Sequence, residues 1–175
     1  MKSFLLILAL FFMSCGKEDS REPSRPSARD ETDIEALITS LYSGLDQAYN
    51  VGGLNTDSLI DVYYDQDVRY VTPWGNTEPL DTTKARLRNA RSHLKNYSHR
   101  IEAMKVKSYG DAAYANFVLR QNYDIDGSLL DEYLPTTLVL ERRGSTWKIV
   151  HAHRSTDYQT MQQYAALQQK RASEK

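Results

Sequence analysis

The sequence is poor in cysteine and in net charge. It has one cysteine, Cys15, and its 22 Lys and Arg nearly balance 23 Asp and Glu. A single cysteine excludes an intramolecular disulfide and a zinc site built on several thiolates. The near-zero net charge argues against a nucleic-acid partner, because phosphates are bound by a basic face. With 41% hydrophobic and 26% charged residues in 175, we expect one folded domain of ordinary size.

Long hydrophobic runs are also missing. The run at residues 4–13 (FLLILALFFM) is too short to cross a bilayer core of ~30 Å at ~1.5 Å per residue. It follows Lys2 and precedes the small residue Ser14, a pattern typical of a secretory signal. We therefore predict a signal peptide over residues 1–14.

Cys15 lies where such a signal is cut, and this arrangement resembles the lipobox of bacterial lipoproteins. Phe12 departs from that pattern, which prefers Leu, and the alternative is an ordinary secretory peptide with an incidental cysteine. The resemblance implies lipidation of Cys15 and an anchor in the outer membrane of a bacterial cell envelope. Residues 17–19 (Lys-Glu-Asp) resemble a surface-export tract, or are a solvated linker, so periplasmic and surface orientations both stay open. Without lipidation, we expect secretion.

The remaining chain divides by composition and hydrophobic period. Residues 15–31 have almost no large apolar side chains and are predicted to be a flexible linker. Residues 32–157 are predicted to form the domain, and residues 158–175 a polar helical tail. Within the domain we expect helices at 33–50, 57–64 and 81–96, and strands at 68–72, 101–109, 113–123, 133–143 and 147–155. Helices ahead of an antiparallel meander indicate an α+β fold, with a curved antiparallel sheet around the N-terminal helices.

The segment W-x-I-V-H-x-H-R-S at residues 147–155 resembles the last strand of the nuclear transport factor 2-like superfamily. Together with Gly110-Asp111, Asp126-Gly127 and residues 141–143, it is similar to SnoaL-like proteins and to the association (hub) domain of calcium/calmodulin-dependent kinase II. The resemblance implies a cone-shaped α+β barrel of cystatin-like type, with a cavity between sheet and helices and a dimer through the sheet. The superfamily includes isomerases, dehydratases, binders and assembly hubs, so fold alone does not select among them.

Arg154 is the best candidate for contact with a ligand. The resemblance implies that it lines the cavity and can meet a carboxylate, while Leu138 replaces a second cavity arginine of the hub domain. For the third, the chain has Leu119 or Arg120. The alternative for Arg154 is a rim salt bridge.

That salt bridge would use Asp65, Asp67 or Asp157.

Among 12 tyrosines, Tyr64 and Tyr70 are predicted to edge the cavity together with Trp74. Aromatic walls with hydroxyl tips suit a small organic ligand, although each ring is also a normal core residue.

Catalytic candidates are few. Asp65, Asp67 and His99 lie near the expected cavity mouth, and no acidic residue or His falls on an interior strand face in the predicted phase. A register error of one residue would exchange the two faces.

His151 and His153 are two residues apart on a strand and share a face, on which alternation also places Trp147. We predict that this face forms a homodimer. A metal would need a third ligand, which the spacing of His93 and His99 does not provide, so no metal or cofactor is predicted.

The function we predict is binding of a small organic ligand, with a carboxylate as one candidate, without clear catalytic residues. The alternatives are an isomerase, dehydratase or hydrolase using the same cavity, and an oligomeric assembly module. A carboxylate or His on the cavity floor would favour the enzyme, an apolar floor with Arg154 at its rim would favour the binder, and a large apolar outer sheet face would favour assembly.

Overall fold

The computed structural model describes residues 27–173, and the predictions for the signal peptide and Cys15 lie outside the described residues. The described part has four helices and six strands. The helices are α1 (Ala28–Asn50), α2 (Thr56–Tyr63), α3 (Leu80–His93) and α4 (Tyr158–Ser173). The strands are β1 (Tyr64–Val71), β2 (Thr77–Glu78), β3 (Leu94–Tyr109), β4 (Ala112–Ile125), β5 (Ser128–Arg143) and β6 (Thr146–Arg154). The predicted α+β class is confirmed.

The six strands form one sheet in the order β2-β1-β6-β5-β4-β3. Strands β3 to β6 form the predicted antiparallel meander. Strand β1 pairs with β6 in parallel, so the sheet is mixed rather than purely antiparallel. The two-residue strand β2 was not predicted, because two residues carry no alternation.

Helix α1 begins earlier than predicted. Ser27 caps it by accepting a hydrogen bond from the backbone N–H of Asp30, and the Ser27 N–H donates to Ser108 on β3. The predicted start at residues 32–33 is therefore wrong, and residues 28–31 belong to the first turn rather than to a linker. Acidic Asp30 and Glu31 suit this turn because they face the positive end of the helix dipole.

The hydrophobic core lies between α1 and the inner face of the sheet. The buried face of α1 has the predicted helical spacing and consists of Ile34, Ile38, Leu41, Tyr42, Leu45 and Ala48. The predicted tail is the helix α4, which docks on the domain through Leu167 and Tyr164 beside Tyr97 and Tyr123. No helix within residues 27–173 is long and apolar enough to cross a membrane.

A bulge in β6 decides which of its side chains face the core. Leu140 pairs with Ile149 whereas Val139 pairs with His151, which leaves Val150 as an extra residue. Beyond the bulge, Ala152 and Arg154 therefore face inward on the side of Ile149.

The same bulge turns His151 and His153 outward. Trp147 lies in the core, with the Arg142 guanidinium 4.3 Å from the centre of its ring. The predicted common face of Trp147, His151 and His153 is wrong, because strict alternation does not survive a bulge.

Candidate functional site

Arg154 enters the interior from the end of β6. Its Nη2 donates a hydrogen bond to the Tyr42 hydroxyl at 2.8 Å, and its guanidinium lies 5.7 Å from the Tyr42 ring centre and 5.6 Å from that of Tyr70. Its Nε is buried and makes no hydrogen bond within the described residues. Arg154 is thus a cation among tyrosines, with at least one N–H donor that makes no hydrogen bond within the described residues.

The rim salt bridges considered for Arg154 do not form. Asp65 pairs with Arg143 at 3.0 Å, and Asp157 caps α4 by accepting from the Thr160 N–H at 2.8 Å. No carboxylate of residues 27–173 lies within 4.0 Å of the Arg154 guanidinium nitrogens. Any ionic partner of Arg154 must then come from outside that part of the chain.

A buried carboxylate, Glu132, lies on the inner face of β5 and is 6% exposed. Gln121 Nε2 donates to its Oε2 at 2.8 Å, and the Tyr164 hydroxyl donates to its Oε1. Burial raises the pKa of Glu132, while hydrogen bonds from Tyr164 and Gln121 and the charge of Arg154 offset part of the rise. A carboxyl group with a raised pKa is suited to proton transfer near neutral pH.

Sequence reasoning missed Glu132. The expectation of no acidic residue on an interior strand face is wrong, because the predicted strand began at residue 133, whereas β5 begins at Ser128. The signal was present: Leu130 and Leu134 flank Glu132 at a spacing of two, and all three are buried. Extending the alternation backwards would have placed Glu132 inside.

Two hydrogen-bond chains converge on Glu132. In one, the Tyr97 hydroxyl donates to Gln121 Oε1 at 2.7 Å. In the other, the Tyr123 and Tyr164 hydroxyls are 2.6 Å apart, and since Tyr164 donates to Glu132 its oxygen accepts from Tyr123. Burial raises the pKa of each of these tyrosines, so they remain neutral donors. A fully satisfied buried network of this kind holds its members in one geometry.

Of the predicted catalytic candidates, His99 is the one that lies inside. Its Nδ1 is 3.5 Å from the Asp46 carboxylate, and its ring lies 5.9 Å from Tyr42. Asp65 instead accepts the Asp67 backbone N–H, and this bond and the pairing with Arg143 lower the pKa of Asp65. Asp67 is exposed. The two aspartates thus occupy a turn and an ion pair, not the interior.

Two of the predicted ligand contacts, Tyr70 and Trp74, lie beside the polar groups described above. Tyr70 is buried and has the guanidinium groups of Arg154 and Arg86 at 5.6 and 5.2 Å from its ring centre. Trp74 is 47% exposed and packs edge-on against Tyr164 at 4.7 Å, at the rim of the Glu132 network.

Tyr64 and Leu138 belong to the hydrophobic core. A second arginine near Tyr70, Arg86 on α3, is 42% exposed and pairs with Glu78 on β2 at 2.9 Å. Lys84 and Arg88 on the same helix pair with Asp61 and Asp57 on α2, so these basic side chains of α3 are ion-paired with acidic neighbours.

Depressions of about 440 and 330 Å³ lie on the outer face of the sheet, the larger one beside His153 and Lys105. Within residues 27–173, no three His, Cys, Asp or Glu side chains are grouped closely enough to hold a metal ion.

Solved structures with the same fold are numerous. A protein from Exiguobacterium sibiricum assigned as a calcium/calmodulin-dependent kinase II association domain has 11% identity and a TM-score of 0.62, over 75% of this chain and 95% of its own. A nuclear transport factor 2-like protein from Pseudomonas putida has 17% identity and a TM-score of 0.59, over 76% and 90%. A cystatin-like protein from Caulobacter vibrioides has 17% identity and a TM-score of 0.56, over 79% and 99%.

These similarities establish the nuclear transport factor 2-like fold, of cystatin-like type. A sequence comparison with curated proteins found no match. A family model of the SnoaL-like domain matches residues 45–159, more than half of the chain and all six strands. With that match and this fold, the chain belongs to the SnoaL-like domain family.

Proposed function

We propose that the domain binds a small organic carboxylate at Arg154. The observation that carries the proposal is the guanidinium itself: it lies among tyrosines, bonds Tyr42, and has no carboxylate partner within residues 27–173. Buried charges in proteins are normally paired. A guanidinium holds a carboxylate through two parallel hydrogen bonds, and the ring of Tyr70 forms one wall of the site beside it.

Substitution of Arg154 tests the proposal. Small carboxylates such as acetate, benzoate and succinate raise the melting temperature of the wild-type protein, less so that of Arg154→Lys, and leave Arg154→Ala unchanged. Lysine keeps the charge but loses the fork geometry. At ~100 times its dissociation constant, a ligand stabilises the folded state by about 2.7 kcal/mol, which differential scanning fluorimetry detects.

The control is Arg143→Ala, which removes an exposed arginine of the Asp65 ion pair. It retains the full response to carboxylates. Equal shifts in wild type and Arg154→Ala would place the ligand elsewhere. An Arg154→Ala protein that is unfolded without ligand would make Arg154 a structural residue.

An acid–base enzyme is the second candidate, and Glu132 favours it. A carboxylate on the cavity floor was the feature expected to separate an enzyme from a binder. Glu132 is held by Gln121 and Tyr164 and has a raised pKa, as in sites where a carboxyl group acts as acid or base. The reaction class would be isomerisation, dehydration or hydrolysis of the bound acid.

Native mass spectrometry of the purified chain separates the two candidates, because it reports the compound that the protein retains. We would return the recovered compound to wild type and to Glu132→Gln. An enzyme converts it in the wild type alone, whereas a binder returns it unchanged in both.

The proposed location is the bacterial outer membrane, through a lipid on Cys15. Cys15→Ala then moves the protein from the membrane fraction to the soluble periplasm or medium, since a multiply acylated N-terminus anchors stably and an unmodified one does not. Fractionation followed by immunoblotting measures this. Ser14→Ala, which keeps the cysteine, is the control and stays in the membrane fraction. Identical fractionation of wild type and Cys15→Ala contradicts the anchor.

The proposed assembly is a two-fold dimer through the outer face of the sheet. That face carries the half-buried Val118, Pro135 and Val139 around the depression beside His153. His153→Glu brings like charges together across such an interface and weakens the dimer, more strongly at low salt. Analytical ultracentrifugation measures the change, with Gln162→Glu on the exposed side of α4 as the control. A wild-type protein that is monomeric at micromolar concentration contradicts the proposal.

A further inference from the structure

Helix α4 closes the interior beside Glu132 but is lightly held. Only Thr160 and Leu167 of its residues are buried. Gln163 exchanges hydrogen bonds of 2.8 and 3.2 Å with the backbone of Asp131. Lys170 donates to the Asp126 carbonyl at 2.9 Å, and Arg171 pairs with the carboxylate of the same residue at 2.5 Å.

These polar contacts are on the surface, where each contributes little. A segment with few buried apolar contacts opens at a lower free-energy cost than the whole domain. Helix α4 is therefore the element of this site that separates first from the rest of the domain.

Tyr164 is the α4 side chain that reaches Glu132. Its hydroxyl donates to Glu132 and accepts from Tyr123, and its ring and that of Trp74 pack edge-on, with their centres 4.7 Å apart. This position therefore fits a flat aromatic ring with a hydroxyl that both donates and accepts a hydrogen bond. The protein supplies that group itself, from a helix with only two buried residues.

We infer that Tyr164 holds the place of a ligand's phenolic hydroxyl on Glu132, and that a phenol bearing a carboxylate displaces it and moves α4 off the site. The inference rests on the proposed function, in which Arg154 takes the carboxylate. A second carboxylate does not suit the Glu132 position, because it has no proton to donate to the oxygen that Tyr164 bonds. An aliphatic hydroxyl could bond Glu132 but would not replace the aromatic contact with Trp74.

The competition predicts a particular effect of Tyr164→Phe. Phenylalanine keeps the ring against Trp74 and removes the hydroxyl that a ligand must displace. Since the Tyr164 hydrogen bond to Glu132 is lost from the closed state, phenolic carboxylates bind about tenfold more tightly to Tyr164→Phe than to wild type. The matched control is Tyr158→Phe, which alters an exposed tyrosine of the same helix.

The experiment uses the full chain and two probes of different length, 4-hydroxybenzoate and 3-(4-hydroxyphenyl)propionate. Each is compared with its analogue lacking the hydroxyl, benzoate and 3-phenylpropionate. Isothermal titration calorimetry gives the affinities, and hydrogen–deuterium exchange with mass spectrometry follows residues 158–173. At least one hydroxylated probe accelerates exchange in α4 and shows the tenfold gain in Tyr164→Phe, whereas its analogue does neither.

The outcomes test the role of Tyr164 separately from the carboxylate site at Arg154. If probes and analogues bind through Arg154 with equal affinity and α4 exchange is unchanged, the inference on Tyr164 is overturned and the carboxylate site stands. It is also overturned if hydroxylated probes bind without any change in α4 exchange, or if Tyr164→Phe leaves their affinity unaltered. If none of the four compounds binds either protein, the proposed function falls as well.

Discussion

Replacing Leu138 with alanine is expected to destabilise the domain by about 2–5 kcal/mol, the usual cost of truncating a buried leucine. Leu138 is 0% exposed, and its cross-strand partners Ala115 on β4 and Ala152 on β6 are equally buried. Two small neighbours cannot close the space that the truncation leaves, so the cost should lie in the upper part of the range. Urea denaturation followed by circular dichroism measures the free energy of unfolding.

Leu129→Ala on the same strand is the matched control, because Leu129 is 70% exposed. Its effect should stay within about 0.5 kcal/mol. If Leu138→Ala lowered the free energy of unfolding as little as this control, the space beside Leu138 would be open. Leu138 would then line a cavity, as the resemblance of the chain to the hub domain implies.

Glu132→Gln is expected to change how the stability of the domain depends on pH. Burial raises the pKa of Glu132 above that of an unfolded glutamate, about 4.3. The folded state then binds the proton more tightly, so this contribution to stability is fully present below that unfolded pKa and is lost as the pH rises through the folded pKa. Each unit between the two pKa values corresponds to about 1.4 kcal/mol. Because glutamine does not titrate, the free energy of unfolding of the variant lacks this decline with rising pH.

Free energies of unfolding measured by urea denaturation from pH 4 to pH 8 test this prediction. The lowered pKa values of Asp65 and Asp157 act in the opposite sense, because their contribution is present above the unfolded pKa and is lost as the pH falls. They are the same in both proteins, so the difference between wild type and variant isolates Glu132. Glu35→Gln, at an exposed position on α1, should follow the wild-type curve. Parallel curves for wild type and Glu132→Gln would contradict the raised pKa.

Local patterns in the sequence were enough for the order and type of the main elements. The spacing of the apolar residues in α1 depends on the helical period alone, and turns such as Asp126-Gly127 end strands through their own backbone preferences. The motif at residues 147–155 located the last strand, β6, and with it the family. The predicted start of α1 was less exact: Ser27 caps the helix locally through the Asp30 N–H, and its own N–H is bound by Ser108, 81 residues away.

The composition of the site was decided by tertiary structure. Arg154 and Tyr70 were predicted from the sequence and do meet, because they lie on neighbouring paired strands, where Tyr70 pairs with Ala152. Glu132 was missed because the predicted strand began too late, but its hydrogen-bond partners Gln121 and Tyr164, 11 and 32 residues away, are set by the tertiary structure. The common face of Trp147 and the two histidines failed because the bulge at Val150 depends on register against β5. The sequence thus determined the features that depend on residue spacing along a single helix or strand. Only the packing of the strands and of α4 decided which polar groups share the interior, because the neighbours of a side chain there come from distant parts of the chain.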